Sequence, residues 1–374
     1  MEYRVLGKTG QRVSAVSLGT EYLIDRPREQ VIAVVRKAIA RGVNYFDLFF
    51  AQPGFRDIMG EAFEGHRDEV LLVAHLGASY DEGNGQYEKT RDPEQCERMF
   101  LDFLERYHTD HVDVLMLHNS DGQEDYDALM APGGLLEMAQ RFVREGKARF
   151  IGFSGHTVAT AKQAVESGHI DLLMFPLNLA GHAVEGRREL LHACVAHEVA
   201  LVVMKPYAGG KLLQGQGAVE IENYQLGGES AEVNNPDAIT PARCLSYVLA
   251  QVGVSTIVPG CQNLDELNAA LAVFDATAEA RDFSQVLTAF EHFEPGQCTY
   301  CNHCLPCPVS IDIGHANRLG DLAASGGVTD ALVKEYEALD VNAADCIQCG
   351  TCEERCPFGV SVIERMEATA DLFA

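Results

Sequence analysis

Eight cysteines fall in two short runs. The first reads Cys298-Thr-Tyr-Cys301-Asn-His-Cys304-Leu-Pro-Cys307-Pro308, and the second Cys346-Ile-Gln-Cys349-Gly-Thr-Cys352-Glu-Glu-Arg-Cys356-Pro357. Two-residue spacers let three successive thiolates wrap one face of an iron–sulfur cubane. The cysteine before proline leaves in another direction and reaches a second cubane. The spacing therefore predicts two [4Fe–4S] clusters, one on Cys298, Cys301, Cys304 and Cys356, the other on Cys346, Cys349, Cys352 and Cys307. Paired C-x2-C units also suit zinc, which needs only four ligands per site. Two runs of four with Cys-Pro endings favour iron–sulfur, although the first run has two residues rather than three before its last cysteine. Such clusters move electrons. Cys96, Cys194, Cys244 and Cys261 are scattered and read as small buried apolar residues.

Ahead of these runs the chain repeats one pattern, a short apolar segment followed by an amphipathic one. Strands are expected at 13–18, 43–47, 70–75, 112–117, 150–153, 172–175, 201–204 and 256–258. Between them lie helix candidates such as 30–41, where Val31, Val34, Val35, Ala38 and Ile39 share a face and Gly42 supplies a stop. Residues 3–14, around Lys8-Thr9-Gly10, read as a β-hairpin. Eight strand–helix units in about 260 residues fit an α/β fold of the (β/α)8 TIM-barrel type, whose sites lie at the C-terminal ends of the strands. A doubly wound dinucleotide-binding sheet would show G-x-G-x-x-G after its first strand, and Val16-Ser17-Leu18-Gly19-Thr20 does not. Two polar, glycine-rich loops, 79–92 and 213–236, follow strand ends on the expected site face. The composition changes at Pro295-Gly296, after an acidic helical connection, and predicts a barrel over residues 1–280 and a small, mainly helical dicluster ferredoxin domain over 281–374. The 38 residues between the cysteine runs include a helical stretch at 327–339.

The 374 residues are 47% apolar and 22% charged, ordinary for a globular protein. No apolar run approaches the ~20 residues of a membrane helix, and Met1-Glu2-Tyr3-Arg4 lacks the apolar core of a signal peptide. A cytoplasmic location is expected, with thiols serving as metal ligands rather than disulfides. A formal charge of −26 argues against nucleic acid and anionic membranes as partners. A small-molecule substrate and a basic redox partner protein are the expected partners.

The stretch from Tyr3 to about Asp275 resembles the aldo/keto reductases, and the whole chain resembles their ferredoxin-type subgroup. The motifs are Gly42-Val-Asn-Tyr-Phe-Asp47, Val114-Leu-Met-Leu-His118, Gly146-Lys-Ala-Arg-Phe-Ile-Gly-Phe-Ser154, Met204-Lys-Pro206 and Val258-Pro-Gly260. The resemblance implies hydride transfer between a nicotinamide and a carbonyl by an Asp, a Tyr acid, a Lys that lowers the Tyr pKa, and a His. Asp47 and His118 match. Gln52 stands at the Tyr position and His75 at the Lys position, which makes Asp47, His75 and His118 the catalytic candidates. Glutamine cannot donate a proton in acid–base catalysis. His75 could take over as acid, or simply hydrogen-bond Asp47.

Tyr80, Tyr87, Lys89 and Arg91, on the long third loop, could supply the missing acid or an anion clamp; otherwise that loop is merely solvated. Ser154, Asn178, Lys205 and Gly260 are the cofactor-binding candidates. The carboxamide-binding Ser-Asn becomes Ser154-Gly155, and the sixth-strand Gln aligns with Met174, four residues before Asn178. Lys205 could hold a cofactor phosphate or an ion pair. The positions that meet a 2′-phosphate align with Gly260 and Glu266, so NADH is expected over NADPH, or a flavin in their place. Phe49 and Phe50 are expected to wall the pocket, and His156 and His182 to be structural. The resulting expectation is an oxidoreductase passing electrons between two clusters and a small organic substrate, a carbonyl or related compound, at the barrel mouth. The alternative is a non-catalytic electron-transfer or redox-sensing protein on a reductase-like scaffold.

Overall fold

A computed structural model describes residues 1–83, 85, 87–182, 184–213, 218–220, 230–232, 239–288, 296, 298, 300, 304–356 and 358–374. The expected N-terminal hairpin forms from β1 (Tyr3–Val5) and β2 (Arg12–Ser14). After it come β3 (Leu18–Gly19), β4 (Tyr45–Leu48), β5 (Leu71–Leu76), a hairpin of β6 (Ala78–Tyr80) and β7 (Tyr87–Lys89), β8 (Val112–Leu117), β9 (Ala148–Ser154), β10 (Leu172–Pro176), β11 (Ala200–Met204), the pair β12 (Ala218–Glu220) and β13 (Ser230–Glu232), and β14 (Val254–Ile257). Eight of them pair in parallel in the order β3-β4-β5-β8-β9-β10-β11-β14. Bridges from Val16 to Ile257 and from Gly19 to Gly260 bring the ends together into a nearly closed barrel.

Alternation along each strand divides the core in two. Tyr45, Val73, Val114, Met116, Met174 and Val202 point inward and pack with one another, capped by Leu6 and Val13 of the N-terminal hairpin. Phe46, Leu72, Leu115, Ile151, Phe175 and Val203 point outward against the helices. Gly152 is glycine for a local reason, because a Cβ there would lie 2.1 Å from Met116 Sδ. The expected helix at 30–41 is observed as Arg28–Ala40 and buries the five residues foreseen for it.

Two expectations are corrected. Segment 13–18 is not one strand: its start pairs with β1, Val16 makes an isolated bridge to Ile257, and the barrel strand itself begins at Leu18. The break is held by Ser14, Ser17 and Thr256, whose hydroxyls bond one another. Segment 79–92 is not an irregular loop either, since Tyr80 pairs with Tyr87 across a glycine-rich turn. Most of the second loop, 213–236, lies outside the described residues.

Beyond the barrel, the helix Ile313–Gly326 packs on the barrel helix Arg187–Ala196 and on the helix Val362–Leu372. Gly320 permits the second contact, as a Cβ there would meet Thr369 Oγ1 at 2.1 Å. Asp321 lies where the two domains meet. It accepts from Arg188 of the barrel at 2.5 Å, from Tyr300 Oη at 2.6 Å and from Arg365 at 2.5 Å. Removing one member of such a shielded cluster strands the others. Asp321→Ala should therefore lose about 3 kcal/mol in anaerobic chemical denaturation; an unchanged midpoint would mark the contact as an ordinary surface ion pair.

Candidate active site

Inward parity sets the site before any side chain is considered. Asp47 shares the parity of Tyr45, His75 that of Leu71 and Val73, and His118 that of Val114 and Met116, so the interior rows end at the mouth in polar groups. All three are buried there. His75 Nε2 lies 2.8 Å from Asp47 Oδ1, and His75 Nδ1 lies 2.8 Å from His118 Nδ1. His118 Nε2 lies 2.6 Å from the Tyr87 hydroxyl. One continuous chain of hydrogen bonds thus runs Tyr87–His118–His75–Asp47.

The carboxylate fixes its polarity, because Asp47 can only accept. His75 Nε2–H then donates to Asp47, His118 Nδ1–H to His75 Nδ1, and Tyr87 O–H to His118 Nε2. Burial holds His118 well below its ordinary pKa, reinforced by His75, Arg91, Lys89 and His156. Its ring is neutral at physiological pH. Burial raises the Tyr87 phenol, with Asn119 and Arg91 acting the other way, so the phenol keeps its proton. Phe49 stacks on His118, ring centroids 5.8 Å apart, and meets Tyr87 edge-on at 5.7 Å.

Tyr87 reaches this position because the hairpin is tied down on both sides. Gln52 Nε2 donates to Gly85 O at 3.2 Å, so Gln52 anchors the ribbon that carries Tyr87. Arg91 donates to Asp125 at 2.8 Å and to His118 O at 2.8 Å, and Lys89 reaches Asp125 at 3.3 Å. Both cations are thereby engaged in holding the hairpin. Of the two roles left open for His75 by the sequence, the structure shows the hydrogen bond to Asp47, and His118 takes the other ring nitrogen.

The mouth opens into a cavity of about 720 Å3, lined among others by Asp47, Phe49, Phe50, His118, Lys205 and Glu266. This volume is within the range for small-molecule and cofactor sites. Ser154, Met174 and Gly260 also line it. Asn178 does not: its amide donates to Lys205 O and accepts from Gly181 N, holding the loop. An added Cβ at Gly155 would meet Ser120 O at 2.8 Å, and one at Gly260 would meet the Tyr22 ring at 2.3 Å. Glu266 folds over the start of its own helix, Leu264–Leu271, and accepts from Gln262 N at 2.8 Å. His156, read from sequence as an isolated structural histidine, lines the cavity as well. His182 bonds the Tyr247 hydroxyl at 2.8 Å and lines a second cavity, between the domains, with Cys298 and Tyr300.

Four of the eight thiols are found together. Cys307, Cys346, Cys349 and Cys352 line one apolar hollow, floored by Ile313 and Met366. Among the described residues no three His, Cys, Asp or Glu side chains converge as ligands of one metal ion. Four thiols around a hollow suit a multi-atom cluster better than a single zinc. Cys298 accepts from Asn317 Nδ2 at 3.6 Å, Cys304 and Cys356 are partly buried, and Cys301 lies outside the described residues. Burial pushes Cys96 up to about 11 and Cys194, Cys244 and Cys261 up to about 12, as inert core thiols require.

A parallel barrel with a Tyr–His–His–Asp hydrogen-bond chain at its mouth, joined to a thiol-rich helical unit, defines the class: a barrel oxidoreductase with a cysteine-rich domain attached. Residues 15–289 match the aldo/keto reductase family, and the chain belongs to it. Residues 294–360 match the 4Fe-4S dicluster domain, which implies two [4Fe–4S] clusters. Among relatives are the uncharacterized oxidoreductase YqkF of Bacillus subtilis, 23% identical over 71% of this chain and 89% of that protein, and L-galactose dehydrogenase of Arabidopsis thaliana, 26% identical over 71% and 86%. The fold is also that of aldo-keto reductase AKR11C1 from Bacillus halodurans, with a TM-score of 0.63 and 21% identity over 78% of this chain and 97% of that one. Among the described residues no helix is long and apolar enough to cross a membrane.

The buried neutral histidines carry a pH signature. His182, like His118, is depressed by burial, to about 3. As pH falls through about 6.5 the unfolded chain binds protons at both positions and the folded chain does not, so stability falls. Each residue contributes about 1.4 kcal/mol per pH unit. His118→Gln should lose roughly 1 kcal/mol less than wild type between pH 7 and 5.5 in anaerobic denaturation. Identical losses would mean that His118 is charged in the folded protein.

Proposed function

We propose that the protein is an iron–sulfur oxidoreductase that exchanges electrons with a small organic carbonyl compound at the barrel mouth, and that Tyr87 is its acid–base residue. The carrying observation is the Tyr87–His118–His75–Asp47 chain, which ends inside the cavity.

The chain of hydrogen bonds does the work of the family's lysine. In the usual arrangement a neighbouring cation makes the phenol easier to ionise. Here Tyr87 keeps its proton donated inward and presents lone pairs to the cavity. When an alcohol gives its proton to the Tyr87 oxygen, the Tyr87 proton moves to His118 Nε2, the His118 Nδ1 proton to His75, and the His75 Nε2 proton to Asp47. Every donor reverses, and no imidazolium is left in the buried middle. The reversed chain hands the proton back to a carbonyl oxygen, so one set of side chains serves both directions. Phe49 packs against the His118 and Tyr87 rings and holds them in place.

Cys307, Cys346, Cys349 and Cys352 would hold one cluster, and Cys298, Cys301, Cys304 and Cys356 the other. When bound, the clusters supply electrons singly. A two-electron carrier in the cavity would be NADH or a flavin rather than NADPH. The Glu266 carboxylate already takes the amide at its helix start and would repel a 2′-phosphate, and Tyr22 covers Gly260. A basic protein surface remains the fitting redox partner for so acidic a chain.

Three outcomes test this reading. Oxygen-free protein should contain about eight iron and eight sulfide per chain, and iron-free protein would overturn the cluster assignment. Tyr87→Phe should slow substrate-dependent reoxidation of the reduced protein about 100-fold or more with iron content unchanged; an unaffected rate would remove Tyr87 from the chemistry and favour the scaffold reading. In titrations, NADH should bind more tightly than NADPH, and Glu266→Lys should narrow the gap. Tighter NADPH binding by the native protein would refute the cofactor preference.

A further inference from the structure

A second polar chain enters the same cavity and takes no part in the relay from Tyr87. Lys205 follows β11, and its backbone sits at φ +54, a left-handed conformation uncommon for residues other than glycine. Two donors hold its carbonyl there, Asn178 Nδ2 at 3.2 Å and Ala208 N at 3.0 Å. Lys205 Nζ lies 3.0 Å from His156 Nε2. His156 Nδ1 in turn lies 3.0 Å from Asp121 Oδ2, while Asp121 Oδ1 accepts the His156 backbone N–H at 2.5 Å.

Asp121 sets the tautomer. A carboxylate only accepts, so His156 Nδ1 carries the proton and Nε2 turns its lone pair to the lysine amine. Nucleophile, base within hydrogen-bond reach, and a third group orienting the base are the three parts of an activated nucleophile. Burial makes the amine easier to deprotonate, against the opposing pull of Glu21 and Asp121. Asp121 is held below its ordinary range: burial would raise it, but the side-chain and backbone hydrogen bonds from His156 act the other way. Lys205 and His156 both line the 720 Å3 cavity, so a ligand there meets the amine.

We propose that Lys205, His156 and Asp121 form a second reactive centre, in which the Lys205 amine adds to the carbonyl carbon of an aldehyde or ketone and forms an imine. The amine lone pair makes the N–C bond as the C=O π electrons move to oxygen. His156 Nε2 takes one N–H proton and passes it to that oxygen. Loss of the oxygen as water, with the second N–H proton, leaves C=N. Nothing is oxidised or reduced, and hydrolysis restores both partners. The step needs no metal or organic cofactor, so it stands apart from the electron-transfer reading.

The test uses the whole protein, prepared anaerobically, with propanal as the carbonyl probe and sodium cyanoborohydride as the hydride donor that converts an imine into a stable N-propyl lysine. Peptide mass spectrometry then ranks all lysines of one sample against one another, with no variant required. Lys205 should be propylated at least tenfold faster than any other lysine, and His156→Gln should slow it about tenfold without changing labelling at Lys8, Lys147 or Lys334. If Lys205 reacts no faster than those surface lysines, or if His156→Gln leaves its rate unchanged, the proposal fails.

Discussion

The hydrogen bond between Tyr87 and His118 joins two parts of the fold with different origins. His118 follows a barrel strand whose alternation points it inward. Tyr87 arrives from outside the barrel, on a ribbon that must cross the mouth and stay there. At 2.6 Å the contact is a close hydrogen bond, and burial keeps the His118 ring neutral and the Tyr87 phenol protonated. Gln52, Arg91 and Asp125 all act on this one placement. Without the ribbon, Asp47, His75 and His118 would be a buried polar string ending at an apolar wall of Phe49 and Phe50.

The inward alternation of the strands was legible in the residues themselves, and with it the barrel, the grouping of Asp47, His75 and His118, and the division of the cysteines. Hydrophobic periodicity is local information, and so is a two-residue cysteine spacing. Tyr87 was legible only as one of four loop candidates. Its selection follows from the pairing of Tyr80 with Tyr87 about a glycine-rich turn, a signal present in the residues but overlooked because the segment is polar. Asn178 illustrates the opposite case. Its motif suggests a ligand contact, yet its oxygen is taken by Gly181 N in the turn after β10 and its amide donates to Lys205 O after β11. The pairing of Lys205 with His156 was out of reach for another reason: 49 positions separate them, and their strands β9 and β11 become neighbours only through β10, which pairs with both.

The cluster-bearing domain follows a related logic. A charge of −26 would drive two acidic units apart, so the contact between them needs a local concentration of cations. Arg188 and Arg365 supply it, and Asp321 organises them with Tyr300. Cys298 thereby lies beside the barrel residues His182 and Arg187, while Cys307, Cys346, Cys349 and Cys352 belong wholly to the tail. Cys298 therefore faces the barrel, whereas the hollow of the other four thiols reaches the surface at exposed Cys349 and Ile347.

Placing Tyr87 on a two-stranded ribbon also makes its presence at the mouth a matter of population. Isolated hairpins are marginal in water, and this one draws its order from a few polar ties. The fraction of molecules with an assembled mouth is then an equilibrium quantity that scales the apparent affinity for whatever binds there. A protein or small molecule that grips only the outer edge of the ribbon would thereby raise or lower turnover without ever entering the barrel.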